Sequence, residues 1–299
     1  MTAAHALPFE LTYNNLSIFR DADGAALYFG MNVVPRPCYT WNLVRDIINF
    51  QNTLINPVHN KEQPLCVVWA SMTPGVFSLG GDLTLFQSLI ESQDRKTLGR
   101  YAVDCVTGLF NHMSLPNVVT VSLLEGDALG AGLETALSSD VVIAEKGIRC
   151  GFPEVLFNLV PGHGAFYLLA RRIGVKAAER MIRDGNVLTS EQLHELGLVD
   201  ILVDKGYGRR AVRQLIEENR KTWNAFRALQ HIKRHCTPIT QEALLASANI
   251  WVDAAMQLSE RDLRMMARLA NRQEKRVGSA SLSKEAQLGF EPAAAAAFA

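Results

Sequence analysis

The 299-residue sequence predicts an α/β fold whose last third is helical. Short apolar runs rich in β-branched residues alternate with segments of helical periodicity up to about residue 205. From Gly208 onward the pattern is almost entirely helical, with a break at Thr237-Pro238. Since alternating strands and helices are typical of an α/β core, we divide the chain into a core (1–205), a helical C-terminal region (206–290) and an alanine-rich tail (291–299) that is disordered or not native.

The predicted strands come in chain order before and between the helices. A turn at residues 21–24 joins two of them, which favours a hairpin. The residues 71–81 between a buried strand and the next helix have the composition of a loop. The predicted strands are Leu11–Tyr13, Leu16–Arg20, Ala25–Phe29, Leu65–Ala70, Val118–Leu124, Val141–Ala144, Ile148–Phe152 and Leu198–Val203.

Helical spacing of apolar residues predicts the helices that separate these strands. Thr40 is a plausible N-cap of the first helix, and Thr189 or Ser190 begins a later one. Asp82 and Asp140 are more typical of helix or turn caps than of groups that ionise during a reaction. The predicted helices of the core are Tyr39–Leu54, Leu83–Ile90, Lys96–Met113, Ala165–Ile173 and Val175–Arg183.

Composition excludes several classes of protein. Lysine plus arginine and aspartate plus glutamate both number 30, so no basic field favours nucleic acid or an anionic membrane. No apolar run approaches the roughly 20 residues that span a bilayer, and no signal peptide is evident. The five cysteines form no CxxC pair, and we expect buried, reduced thiols in a cytoplasmic protein. No histidine or cysteine has metal-ligand spacing, and no metal or other cofactor is expected.

The stretch 118–164 carries the predicted chemistry. A strand ends before Gly130-Ala131-Gly132, which opens a helical segment containing Glu134, and Glu154 follows Pro153 after two further short strands. A glycine-rich turn at a helix start offers unpaired backbone N–H groups to a developing negative oxygen. Two carboxylates beside such a turn indicate acid–base chemistry on a carbonyl compound.

Three segments in this order resemble those of the enoyl-CoA hydratase/isomerase, or crotonase, superfamily. FSLGGDL (77–83) resembles its first oxyanion-hole segment, and EGDALGAGLETALSSDVVIAE (125–145) and GFPEVLFNLVPGHG (151–164) resemble its second and third. Within the superfamily, runs such as PRPCYTWNLVRDI and FPEVLFNLVPGHGAFYLLARRIG closely resemble the bacterial diffusible-signal-factor (DSF) synthases of the RpfF type. The resemblance covers roughly residues 10 to 275.

The resemblance implies a ClpP/crotonase-like spiral of ββα units with a C-terminal helical region for trimerisation and for the acyl-tail pocket. It implies assembly as a homotrimer or dimer of trimers. The implied activity of a DSF synthase is dehydration of a medium-chain 3-hydroxyacyl-acyl-carrier-protein to the cis-2-enoyl thioester. Hydrolysis then releases a free cis-2-unsaturated fatty acid, a quorum-sensing signal. The resemblance implies a substrate carried by acyl carrier protein or coenzyme A, a choice that the sequence leaves open, and it implies a DSF sensor protein as a candidate partner.

Matched position by position, the resemblance places the backbone N–H groups of Gly81 and Ala131 in the oxyanion hole. Gly80, Gly130 and Gly132 allow tight turns and close approach of the thioester. Glu134 and Glu154 share the acid and base roles. His163 is interpreted as a loop or helix-cap residue.

An acyl chain needs an apolar slot near these groups. The C-terminal helices offer Trp251 and Leu269, which match positions where the family places the tail. Phe152 and Leu156 lie next to Glu154 in the chain. For any one of these residues, ordinary core packing is an alternative that the sequence leaves open.

The sequence is also compatible with two other functions. An ordinary enoyl-CoA hydratase or isomerase of fatty-acid metabolism keeps its thioester intact. Release of a free acid would therefore distinguish a DSF synthase from such an enzyme. A crotonase-fold binding partner of a DSF sensor needs no catalysis, and the presence of both glutamates argues against it.

Overall fold

A computed structural model describes residues 13–32, 36–55 and 64–281. The predicted strand residues 11 and 12 and the predicted tail 291–299 lie outside this part of the chain. The described residues form ten strands: β1 (Leu16–Arg20), β2 (Ala26–Met31), β3 (Cys66–Ser71), β4 (Gly75–Ser78), β5 (Val119–Leu124), β6 (Gly126–Leu129), β7 (Val141–Glu145), β8 (Arg149–Gly151), β9 (Val187–Thr189) and β10 (Ile201–Val203).

The helices of the described residues surround these strands. Two 3₁₀ segments, Pro153–Phe157 and Arg220–Thr222, complete the secondary structure there. The α-helices are α1 (Trp41–Ile55), α2 (Leu83–Glu91), α3 (Arg95–Met113), α4 (Ala131–Leu137), α5 (Ala165–Ile173), α6 (Val175–Asp184), α7 (Ser190–Glu195), α8 (Gly208–Asn219), α9 (Trp223–Cys236), α10 (Gln241–Ala255) and α11 (Glu260–Ser281).

The strands form two sheets, in the orders β1-β2-β3-β5-β7-β10 and β4-β6-β8-β9. The pairs β3/β4, β5/β6 and β7/β8 each place one strand in the large sheet and the next in the small sheet, before the chain continues into helix or 3₁₀ turn. The ladders between these successive units are parallel. The repeated unit generates a spiral, which confirms the predicted crotonase-type α/β fold with a helical C-terminal region.

Both faces of the large sheet are covered. β5 and β7 are buried along their whole length, which explains why they are continuous apolar runs rather than alternating ones. On one face, Val121 and Ile143 share an apolar cluster with Val212 and Ile216 of α8. The other face belongs to the larger core, which extends to the small sheet and to α1, α3 and α10.

The sequence prediction includes β8 of the small sheet but missed the other three strands. Residues 71–81 were predicted as a loop, but β4 lies within them, and β6 and β9 are also strands. Each has only three or four residues, and β4 and β6 each begin at a glycine, so their sequences carry little strand signal. A Cβ on Gly126 would lie 2.1 Å from the backbone of Gly75, which shows that β6 needs glycine for its close approach to β4.

Several predicted caps are confirmed. Asp82 accepts a hydrogen bond from Leu85 N at the start of α2, and Thr189 forms a capping box with Gln192 at the start of α7. Asp140 has a different role: it is a buried partner of Arg234, and this ion pair joins α9 to the core.

The cysteine prediction is correct for four of the five residues. Cys38, Cys66, Cys105 and Cys150 are buried free thiols, but Cys236 is exposed. Cys236 is the last residue of α9, a helix of which only Gln230 is fully buried, so its end remains in solvent. Among the described residues, no helix has both the length and the apolar character to cross a membrane.

Candidate active site

The predicted site residues surround one cavity of about 320 Å³. It lies where the ends of β4 and β6 meet α2, α10 and α11, so the chain brings together residues that are up to about 190 positions apart. Nine of the eleven predicted site residues line it: Gly80, Gly81, Gly130, Ala131, Glu134, Glu154, Leu156, Trp251 and Leu269.

Two backbone amides face this cavity from neighbouring loops. Gly81 follows β4, and Ala131 is the first residue of α4. The loops are in close contact, because a Cβ on Gly80 would lie 3.1 Å from Leu129 O and 3.6 Å from Ala131 N. No acceptor for the N–H of Gly81 or Ala131 is found in the described part of the chain. Two unpaired donors on adjacent loops are suited to bind one substrate oxygen.

Glu134 lies in the first turn of α4 and is almost completely buried, with 1% of the residue exposed. Its Oε1 accepts hydrogen bonds from the backbone N–H groups of His163 and Ala165, each at 2.8 Å. Burial raises the pKa of Glu134 to about 7, although the two N–H groups oppose the shift. Its carboxyl group therefore changes protonation near neutral pH.

Glu154 lies in the 3₁₀ turn Pro153–Phe157 that follows β8. The residue is only half-buried, but its Oε2 is enclosed and has no hydrogen-bond partner among the described residues. Burial, together with the charge of Glu134, raises the pKa of Glu154 to about 8. Ionisation depends on the environment of the carboxyl group, whose Oε2 is enclosed. Partial exposure of the residue as a whole therefore does not cancel the rise in the pKa of Glu154.

The two glutamates form a coupled pair. Ionising both would place two negative charges in one apolar cavity, so near neutral pH the pair retains about one proton. Glu134 has two N–H donors to stabilise its charge and Glu154 Oε2 has none, so the proton resides mainly on Glu154. One ionised and one protonated carboxyl group at the same cavity are suited to act as a base and an acid.

Gly130 allows the Glu154 carboxyl group to approach the turn at the start of α4. A Cβ on Gly130 would lie 2.3 Å from Glu154 Oε1, and the φ of Gly130 is +52°. Any side chain here would displace the Glu154 carboxyl group. The glycine is therefore required by its contact with the Glu154 carboxyl group and not only by the turn.

Two predicted substrate-binding residues do not line the cavity. Phe152 is fully buried in the core, because it points to the same side as Cys150 at the end of β8, away from Arg149 at the cavity. Gly132 is also outside the lining: a Cβ on it would lie 2.3 Å from Ser78 O, so it permits close packing of α4 on β4.

The apolar wall opposite the glutamates is formed by α2, α10 and α11. The rings of Phe86 and Trp251 pack edge to face with centroids 5.1 Å apart, and the Trp251 indole lies against Gly162. Gln273 Nε2 donates to Leu79 O at 2.6 Å, which attaches α11 to the loop before Gly80. Phe86 was not singled out from the sequence, where it is one of several apolar residues at helical spacing.

His163 has a larger part in the site than the sequence indicated. It was interpreted as a loop or cap residue, but its ring lines the cavity and its Nδ1 lies 3.5 Å from Glu134 Oε2. Only its position between Gly162 and Gly164 signalled a constrained conformation. Among the described residues, no group of three or more His, Cys, Asp or Glu side chains is placed to hold a metal ion.

The fold and the site define a crotonase-fold protein with a buried glutamate pair. The sequence profile of the enoyl-CoA hydratase/isomerase family matches residues 52–265, and the chain belongs to this family.

Curated relatives match part of the chain. It is 35% identical over 132 residues to the peroxisomal fatty acid beta-oxidation multifunctional protein AIM1 of Arabidopsis thaliana, which is 44% of this chain and 18% of that protein. It is 25% identical over 183 residues to the probable mitochondrial enoyl-CoA hydratase 2 of the same plant, 61% of this chain and 59% of the relative. The chain thus spans less than two thirds of the length of either relative.

Solved structures share the fold. An enoyl-CoA hydratase from Mycobacterium avium subsp. paratuberculosis superposes with a TM-score of 0.71 at 16% identity, covering 87% of this chain and 97% of that one. DspI of Pseudomonas aeruginosa superposes with a TM-score of 0.66 at 23% identity, covering 81% and 94%. At these identities the likeness establishes the crotonase fold alone.

Proposed function

We propose that the protein dehydrates a medium-chain 3-hydroxyacyl thioester to the cis-2-enoyl thioester and then hydrolyses it to a free cis-2-unsaturated fatty acid. The observation that carries the chemistry is the buried pair Glu134 and Glu154, which retains about one proton beside the unpaired amides of Gly81 and Ala131. The hydrolytic step and the cis geometry rest on the resemblance of the sequence to the DSF synthases.

In the first step, the thioester oxygen accepts hydrogen bonds from Gly81 and Ala131, which stabilise the enolate that forms. Glu134 removes the Cα proton, and Glu154 protonates the hydroxyl group at C3 as the C3–O bond breaks. The products are the enoyl thioester and water. Glu134 is now protonated and Glu154 is ionised.

In the second step, each glutamate returns to the protonation state in which it began. Glu154 takes a proton from water as the water oxygen bonds to the thioester carbon, and the same two amides bind the tetrahedral oxyanion. The C–S bond then breaks, and Glu134 protonates the departing thiolate. The free acid and the carrier thiol leave a site with Glu134 ionised and Glu154 protonated, so one pair of carboxyl groups is sufficient for both reactions.

The cavity suits an apolar acyl chain more than a polar substrate. Its lining is largely apolar, with Leu83, Phe86, Leu159, Trp251 and Leu269 among the contributors. Each methylene group buried there contributes roughly 0.8 kcal/mol before entropic costs. Arg149 and Arg272 also line the cavity and are exposed to solvent, where they can face the phosphate of a pantetheine carrier, either carrier protein or coenzyme A. Trimeric assembly and contact with a signal sensor are further parts of this proposal.

Family membership also supports a simpler candidate, the hydratase or isomerase reaction of an enoyl-CoA with the thioester retained. Mass spectrometry of the products from purified protein and 3-hydroxydodecanoyl-carrier-protein, or the coenzyme A thioester, separates the two. A free cis-2-enoic acid supports the proposal. An enoyl thioester without free acid would establish the simpler reaction, and no turnover of either thioester would favour a binding role.

Replacing Trp251 by alanine is expected to change which acyl chains the protein accepts. The indole forms the wall between Phe86 and Gly162, so its removal lengthens the apolar slot. We expect kcat/KM for a substrate two or three methylenes longer to rise relative to that for the dodecanoyl substrate, by roughly tenfold or more. Competition between the two chain lengths measures this ratio. An unchanged ratio in a folded variant would show that the chain does not extend to Trp251.

A further inference from the structure

His163 contacts both oxygens of Glu134. Its backbone N–H donates to Oε1 at 2.8 Å, and its ring Nδ1 lies 3.5 Å from Oε2, longer than a formed N–H···O hydrogen bond, so the ring must approach by a few tenths of an ångström when the site closes around substrate. The ring is buried, with 11% of the side chain exposed, and it lines the cavity. Oε1 already accepts from two backbone N–H groups, so Oε2 is the oxygen best able to take a proton from a substrate.

We propose that His163 is a positioning residue whose uncharged imidazole donates from Nδ1 to Oε2 of Glu134 and thereby keeps Glu134 the ionised member of the glutamate pair. A donor at Oε2 stabilises the carboxylate and fixes the direction of the oxygen that acts as base. This inference rests on the proposed function, because it assigns Glu134 the role of base.

The imidazole is uncharged in this environment. Burial lowers the pKa of His163 to about 4, so at neutral pH the ring carries one N–H and one bare nitrogen. Glu134 Oε2 is the acceptor that lies near Nδ1, which favours the tautomer with the proton on Nδ1. An uncharged donor adds no net charge to the cavity, so it leaves Glu154 as the acid.

The other ionisable groups around Glu134 do not compete for this role. Tyr39 forms an isolated parallel β-bridge with Gly81, and Cys105 lies on α3. Both interact electrostatically with Glu134, and burial raises the pKa of each far above neutrality. Glu154 lies in the 3₁₀ turn Pro153–Phe157 and interacts electrostatically with Glu134. Arg149 and Arg272 line the cavity where it meets solvent.

The test compares His163→Met, which removes the donor at similar volume, with His163→Gln, whose amide retains one. Without the donor the pKa of Glu134 rises, so we expect the acidic midpoint of the kcat–pH profile to move up by about one unit. At pH 6, kcat should fall about tenfold while KM stays within about twofold. His163→Gln should restore most of the profile, and His235→Met, at an exposed position on α9, should leave it unchanged.

An unchanged acidic midpoint in a folded His163→Met variant would overturn the proposal. A second measurement needs no substitution: ¹⁵N chemical shifts of the His163 ring in the wild-type protein at pH 7 report its tautomer. We expect the proton on Nδ1, and a proton on Nε2 would overturn the proposal equally. Because this readout does not depend on turnover, an inactive wild-type protein would count against the proposed function and not against the contact.

Discussion

Replacing Glu154 by glutamine is expected to lower kcat by about 10²–10⁴-fold, because glutamine cannot donate the proton that the leaving hydroxyl group needs. Glu134→Gln should have an effect of similar size through loss of the base. Both substitutions preserve shape and remove a buried ionisable group, so the folded protein should be at least as stable as the wild type. Single-turnover rates and thermal unfolding of each variant provide the comparison.

Glu125→Gln is the matched control for both variants. Glu125 lies between β5 and β6, and burial raises its pKa, yet it does not line the cavity. Its replacement should leave turnover within about twofold of the wild type. If Glu154→Gln and Glu134→Gln were folded and remained within tenfold of wild-type activity, the assignment of acid and base to this pair would be wrong.

The second large effect concerns stability. Asp140→Ala is expected to lower the free energy of unfolding by about 3–5 kcal/mol, since it leaves Arg234 without its buried partner. Asp140 Oδ2 accepts from Thr120 N at 2.9 Å and Thr120 Oγ1 at 3.0 Å, and Arg234 Nε donates to Oδ1 at 2.8 Å. Only 6% of the Asp140 side chain and 18% of the Arg234 side chain are exposed. Urea denaturation at pH 7 measures the change.

The exposed pair Lys146 and Asp204 provides the comparison, with side-chain exposures of 51% and 74%. Asp204→Ala should change the free energy of unfolding far less than Asp140→Ala, because solvent screens that pair. Equal effects of Asp140→Ala and Asp204→Ala would show that the Asp140–Arg234 pair contributes no more than a surface contact.

The Asp140 pair also gives stability a defined dependence on pH. Burial by itself raises the pKa of Asp140, but the hydrogen bonds and charge of Arg234, together with those from Thr120, outweigh it and the net pKa lies below the usual value. A carboxyl group whose pKa is lowered by folding stabilises the protein above its unfolded pKa, near 4. This contribution to the free energy of unfolding is lost as the pH falls through the folded-state pKa of Asp140. The Asp140→Ala variant should lack this part of the pH dependence of stability.

The position of the two glutamates at one cavity could be predicted from the sequence because each follows a distinctive local feature. Glu134 follows a glycine-rich helix start and Glu154 follows a proline after a short strand, and the structure places both at one cavity. The large sheet was predictable because its central strands are buried on both faces and are therefore continuous apolar runs.

What the sequence could not predict depends on contacts between distant segments. Phe86 and Trp251 are separated by more than 160 positions, and each alone is an ordinary apolar residue of a helix. Phe152 lies beside Glu154 in the chain, yet strand alternation directs it into the core. His163 gains its significance only from the fold of the loop that carries its amide and its ring to Glu134.

We expect Glu134 and Glu154 to share about one proton near neutral pH. Titration of the two carboxyl groups by ¹³C NMR, with the signals assigned from Glu134→Gln and Glu154→Gln, tests it without any substrate. We expect the pair to titrate in two steps close to neutrality, with Glu134 ionising before Glu154, in line with pKa values of about 7 and about 8. Two carboxyl groups fully ionised by pH 5 would show that the pair does not share a proton near neutrality.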